Sequence, residues 1–280
     1  MKTRKSCWSL LARIILIAQI SACAGSLPEP PYPAFIQVDE LPDIFIAGLP
    51  GVQAKQLAGN PQTRRSSNLI SLPADWQFTT GAAPGLSVEI YVIAGNISLG
   101  GLEMSTGAYA YVPPASTGMQ LATKDGAAIL YFLDDASEQA VIQTPLITNS
   151  NLLDWKPLSD DLQDIGIVSK ELRADPGSGA RTWLIKVDPI ATQSFRSSNV
   201  TNEGYLLNGS YQTSECVMGE LVTDVYTQGG YFHRTPGAIH GGSEEAATET
   251  SVWFMRVLQE ETTTNLDACV APPSTEAVGP

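Results

Sequence analysis

The sequence predicts an all-β protein built as two tandem domains, and three observations carry that expectation. First, the chain of 280 residues contains itself twice. Gly51, Lys55, Leu57, Asn60-Pro61 and Leu69-Ile70 return as Gly166, Lys170, Leu172, Asp175-Pro176 and Leu184-Ile185. Tyr91 and Gly95 return as Tyr205 and Gly209, and Gly107, Tyr109 and Pro114 return as Gly229, Tyr231 and Pro236 after an insertion. A repeat unit of about a hundred residues is far longer than a solenoid period, so it is a duplicated domain. Second, the apolar runs (88–94, 127–133, 182–187, 204–207, 221–226, 251–258) are short and rich in β-branched and aromatic residues. Glycine, proline or asparagine interrupts them roughly every eight to twelve residues. Third, no stretch sustains a helical period between good caps. Short, evenly spaced strands point to sandwiches or barrels.

The elements fall in a simple order. Lys2, Arg4, Lys5 and Arg13 precede a short apolar run, Ile14–Ile20, which has the layout of an export signal and is too short to span a membrane. Ile20-Ser21-Ala22-Cys23 resembles a lipobox, which makes Cys23 an acylated N-terminus after removal of residues 1–22. Ordinary cleavage after Ala24 is the alternative. Residues 23–44 read as a proline-rich tether and N-terminal segment, 45–135 as the first barrel, 136–150 as a linker, 151–260 as the second barrel and 261–280 as a C-terminal tail. The expected location is the bacterial periplasm, anchored by lipid, with soluble periplasmic or secreted protein as the alternative.

Loss of residues 1–22 removes four basic and no acidic residues, so the net charge moves from −13 to −17. So acidic a surface excludes nucleic acid as a partner and leaves acyl chains as the only route to a membrane. Cys7 leaves with the signal and Cys23 carries lipid, so Cys216 and Cys269 are the remaining thiols. In an oxidising compartment they either pair or stay free. No phosphate-binding glycine loop, Gly-x-Ser-x-Gly elbow or Cys-x-x-Cys pair is present.

Gly229, then Thr235-Pro236-Gly237, then His240 resembles the second sequence motif of the cupin superfamily. Gly107, Pro113-Pro114-Ala115 and Gly118 form the same motif without its histidine. The segments around Glu89–Gly95 and Glu203–Gly209 resemble the end of the first cupin motif. Together with Lys-x-Leu-x-x-Asn/Asp-Pro at the start of each copy, the chain looks most like two-domain bacterial cupins related to the anti-sigma factor ChrR. The resemblance implies two tandem jelly-roll barrels. In metal-containing cupins it also implies two histidines, a glutamate and the second-motif histidine on the barrel axis, a set suited to divalent transition metals. This chain has two histidines in all, and neither first motif supplies one.

The glutamates also sit one step from the motif position, which in a strand reverses the face unless a bulge intervenes. The candidate metal ligands are therefore only His240 and Glu203, and a transition metal is expected in well under one equivalent. The candidate pocket residues are His240, His233, Tyr231, Arg234, Asn202 and Glu203. Arg196, Arg234 and Arg256 offer planar forks for an anion. Tyr231 and Tyr205, retained as Tyr109 and Tyr91 in the other copy, equally suit packing. Only the second copy keeps polar residues in the motif strand, so the largest partly polar cavity is expected within 151–260 with His240 on its wall, beside an apolar first barrel. The expected function is small-molecule binding or a structural role through the second barrel. The alternative is a metal-assisted lyase, isomerase or oxygenase using His240. Oligomeric state stays open, a homo-oligomer included.

Overall fold

A computed structural model describes residues 32–270 apart from 47–48, 61, 63–64, 81–84, 115, 117, 136, 138, 159–164 and 192. The signal, Cys23 and residues 271–280 lie outside the described residues. The first copy forms a sheet in the strand order Leu146–Asn149, Ala108–Val112, Leu86–Leu99, Ala127–Asp135, Arg65–Leu72 and Gln53–Asn60. Leu86–Leu99 is long enough to serve two sheets. Its first part pairs with Ala108–Val112 and Ala127–Asp135, and Asn96–Leu99 turn away to pair with Leu102–Ser105. A register shift between Val92 and Ala94, followed by Gly95 at φ 80°, makes that corner. A Cβ on Gly95 would lie 2.5 Å from the Gly126 carbonyl oxygen, so the repeated glycine marks a close backbone approach.

The second copy repeats the plan, with the long strand divided at Gly209 into Asn202–Asn208 and Ser210–Val217. Its main sheet runs Ile36–Gln37, Gly230–Arg234, Asn202–Asn208, Ser251–Val257, Arg181–Val187, Ile167–Ala174 and Lys156–Pro157. The closing sheet runs Glu220–Thr227, Ser210–Val217, Ile239–His240, Phe195–Ser198 and Thr263–Leu266.

Three segments depart from the sequence reading. Leu146 and Asn149, read within a linker, flank a strand that adds to Tyr111–Ala108 of the first copy. Ile36 and Gln37, read within the tether, pair with Tyr231 and Gly230 of the second copy. Thr263–Leu266, read as tail, pairs with Phe195–Ser198, and Cys269 is bonded to Cys216 beyond it. Strands of two to four residues at a sheet edge are too short to display a period, and their partners are distant in sequence.

Strand alternation gives each main sheet two apolar faces. One face of the first sheet fills its own barrel with Ile90, Val92, Ile97, Leu99, Met104, Ala110, Val112 and Leu121. The opposite faces of both sheets meet in a shared seam containing Tyr91, Tyr109, Tyr111, Leu130 and Phe132 from the first copy. Leu172, Leu184, Tyr205, Tyr231 and Phe254 come from the second. The second barrel is filled at one end by Leu206, Tyr211, Tyr226, Phe232 and Trp253. Its other end is polar and open.

Candidate functional site

Gly230–Arg234 sorts the candidates by parity. Phe232 and Arg234 point into the second barrel, whereas Tyr231 and His233 point into the seam. The same rule separates Asn202, which lines the barrel cavity, from Glu203, which faces the first copy. His240, Arg234 and Asn202 therefore share one site, and His233, Tyr231 and Glu203 lie outside it. Their placement as pocket residues is corrected on that ground.

The cavity of the second barrel has a volume of about 370 Å³ and is walled by Arg181, Trp183, Arg196, Asn202, Arg234 and His240 among others. A narrow extension of about 50 Å³ reaches inward to Tyr211, Tyr226, Phe232 and Trp253. The segment after Ser251–Val257 contributes Glu261, Thr263 and Asn265 to the wall. The cavity is not the largest hollow, which corrects that expectation. An open groove of about 880 Å³ lies between the copies beside Arg65, Asp135 and Glu260, and one of about 440 Å³ lies on the first copy beside Trp76 and Asn96.

Two ion pairs hold arginines of the cavity wall, the first buried and the second partly buried. The Arg234 Nε–H donates to Glu215 Oε1 at 2.9 Å while its guanidinium lies 3.7 Å over the Phe232 ring. Tyr32 closes the other side of Glu215, donating to Oε2 at 2.8 Å; burial, then the adjacent carboxylate, pushes its phenol pKa upward. Arg196 donates through Nη2 to Glu245 Oε1 at 3.3 Å, and its Nε–H donates to His240 Nε2 at 3.2 Å. His240 Nε2 is therefore an acceptor, and the neutral ring carries its proton on Nδ1. Burial, reinforced by the Arg234 and Arg196 guanidiniums and opposed only by the Ala238 backbone, holds the imidazole well below its ordinary pKa. The ring stays uncharged at neutral pH.

Those contacts leave polar atoms over. Among the described residues, eight buried side-chain nitrogens and oxygens have no hydrogen-bond partner. Five belong to the interior of the second barrel: Arg181 Nε, Trp183 Nε1, Asn202 Oδ1, His240 Nδ1 and Glu245 Oε2. An unsatisfied buried polar group costs about 1–3 kcal/mol, so a cluster of them is retained only for a reason.

The donors do not fit a transition metal. The His240 nitrogen that would bind one is covered by a guanidinium N–H, the next side chains on the wall are cationic, and Glu203 faces away. Among the described residues no group of three His, Cys, Asp or Glu side chains converges.

Glu203 belongs instead to a pair of matched sites in the seam. Glu203 Oε2 accepts from Tyr231 at 2.6 Å and from Ser67 of the other copy at 2.7 Å. Glu89 Oε2 accepts from Tyr109 at 2.6 Å and from Thr182 of the other copy at 2.7 Å. The two arrangements are related by the repeat. Arg173 binds Glu89 at 2.9 Å and stacks on Tyr111, while Arg256 binds Glu203 at 2.7 Å, reaches Glu89 at 3.4 Å and pairs with Asp134. Burial pushes the Glu203 carboxyl upward, yet Arg256, His233 and Tyr231 together bring it down to about 2. His233 Nδ1 sits 3.6 Å from that carboxylate.

Sequence reasoning missed Arg181, Trp183, Glu215 and Glu245. Arg181 and Trp183 alternate on a strand, and Glu215 interrupts a β-rich run, so each carried a weak signal. Neither signal said which face was the interior.

No protein-family model and no curated protein sequence matches the chain. Solved structures do. A proposed dioxygenase from Nostoc punctiforme PCC 73102 superposes with a TM-score of 0.66 and 17% identity over 82% of this chain and 85% of that one. A Cupin 2 conserved barrel domain protein from Leptotrichia buccalis gives 0.53 and 15% over 81% and 100%, and a Lactobacillus farciminis oxalate decarboxylase with formate gives 0.59 and 9% over 82% and 88%. Similarity at these identities establishes architecture. The chain is a tandem pair of jelly-roll barrels of the cupin fold.

Proposed function

We propose that this protein is an exported, lipid-anchored binding protein whose second barrel holds a small molecule and whose first barrel is structural. The observation that carries the reading is the concentration of unpartnered buried polar atoms on one cavity, five of the eight among the described residues. The first barrel is packed by Ile90, Ile97, Leu99 and Met104, and no comparable set lines it among the described residues. A metal-assisted lyase, isomerase or oxygenase built on His240 draws on the activities named for structural neighbours. It lacks support from the donors around that ring.

The cavity reading is tested by filling it. Ser197 lines the wall, and Ser197→Trp should abolish ligand-observed NMR signals from a library of small acids, amides, alcohols and sugars that the unaltered protein binds. A library whose binders are unaffected by that substitution, or that yields none, refutes the reading.

Export and anchoring rest on the basic segment, the apolar run and Cys23. Two or three acyl chains give stable attachment where one does not. Cys23→Ala should move the protein from the membrane fraction to the soluble periplasm. An intact mass showing an unmodified N-terminus at Gly25 would contradict this.

A further inference from the structure

We infer that the second barrel is a metal-free anion site, in which guanidiniums fixed to the chain stand where a cation would otherwise be bound, and that it takes a small carboxylate also bearing a hydroxyl or N–H donor. This deepens the binding reading above and depends on it. Arg181, Arg196 and Arg234 face the cavity, and among the described residues Glu261 is the one carboxylate on the same wall. The carboxylates that balance Arg234 and Arg196 are withdrawn from it: Glu215 lies behind the wall and Glu245 borders only the inner extension. Positive charge is thus presented inward with its counter-charge behind.

The unpartnered atoms specify the rest. Trp183 is 5% exposed and its Nε1–H has no acceptor, and the Arg181 Nε–H makes no hydrogen bond, its nearest carboxylate being Glu171 Oε2 at 3.7 Å. His240, neutral because Arg196 occupies Nε2, keeps its N–H on Nδ1 beside the Ala238 backbone, without a well-formed hydrogen bond. Donors short of a good acceptor, the Trp183 N–H foremost, ask for a ligand rich in lone pairs, which a carboxylate supplies without bringing a proton of its own. Asn202 gives its Nδ2–H to Glu261 at 2.8 Å, and its Oδ1 is left as an acceptor. A carboxylate alone cannot satisfy Oδ1. A hydroxyl or N–H on the same molecule can.

The test uses the full chain, purified in detergent and dialysed against EDTA, titrated calorimetrically with lactate, with propionate, which lacks the hydroxyl, and with lactamide, which lacks the charge. Lactate should bind most tightly, with lactamide weaker by roughly 10-fold or more, the usual worth of a hydrogen bond to a charged group. Propionate should fall between them. Trp183→Phe, which removes the N–H and keeps the ring bulk, should weaken lactate by a similar factor, and Arg181→Met serves the same purpose on a half-exposed side chain should the tryptophan variant fail to fold. Lactate and lactamide binding equally would overturn the anion assignment while leaving a binding protein. Lactate binding that returns only when Mn(II) or Zn(II) is added would overturn the metal-free site, and no binding by any probe would overturn this inference without touching library hits that Ser197→Trp removes.

Discussion

Arg256→Met is expected to lower the stability of the protein by roughly 3–5 kcal/mol at pH 7, the usual cost of removing one partner from a buried charge network. Arg256 is 1% exposed and serves Glu203, Glu89 and Asp134 at once, with its guanidinium 4.3 Å over the Phe132 ring. Without it Arg173, bound to Glu89, is the one guanidinium left in the network among the described residues, with His233 3.6 Å from Glu203. Burial already pushes the Asp134 carboxyl upward despite Arg256, so Asp134 and Glu203 would both rise above their unfolded values in the variant. The sign then follows. A carboxyl whose folded pKa is raised binds more protons folded than unfolded, so the variant gains stability as pH falls. The unaltered protein behaves oppositely at Glu203, whose stabilisation is complete above the ordinary carboxylate range and is lost as pH drops toward about 2. Urea unfolding at pH 7 and pH 5 should therefore show the deficit shrinking in acid. A deficit independent of pH would mean that lost packing against Phe132, rather than uncompensated charge, is responsible.

Replacing Cys216 and Cys269 together with serine should cost roughly 2–4 kcal/mol, since the bond closes a loop of 53 residues whose freedom it removes from the unfolded chain. The same bond holds the strap that brings Glu261, Thr263 and Asn265 to the cavity wall. Two readouts are expected to move together. Thermal melting should fall on addition of reductant in the unaltered protein and be indifferent to it in the double variant. Limited proteolysis should cut after residue 258 faster in the variant. Unchanged proteolysis would mean that pairing of Thr263–Leu266 with Phe195–Ser198 holds the strap unaided.

Much of the architecture was legible because the repeat and the strand period are local properties. The glycines at Gly95 and Gly209 mark the same corner in both copies, and their spacing from Glu89 and Glu203 put those carboxylates off the cupin motif position. What the sequence did not carry was the identity of the opposite face. Tyr231, His233 and Glu203 look like pocket residues when one barrel is considered alone, and become seam residues once Ser67 of the other copy is seen to donate to Glu203. Arg256 shows the same limit: nothing in Ser251–Val257 announces that its partners lie at Glu89 and Asp134, over a hundred residues earlier. Trp183 and Arg181 were hidden for a different reason. Their significance is a missing hydrogen bond, and only coordinates reveal an atom without a partner.

The seam also bears on what tandem fusion makes available to this chain. Phe132 pairs with Glu89 in its strand ladder, and Arg256 pairs with Glu203 at the equivalent rung, so the two residues occupy the same position in the two copies. They touch, guanidinium over ring, which puts both beside the pseudo-twofold axis. A homodimer of either barrel alone would have to bring a residue against its own twin there, because an isologous contact repeats every side chain across the axis. Two arginines would repel, and two phenylalanines would leave Glu89 and Asp134 of each copy without this cation. One arginine facing one phenylalanine is open only to a chain in which the two halves can change separately, so the covalent link is what allows a charged lock at the centre of an otherwise symmetric contact.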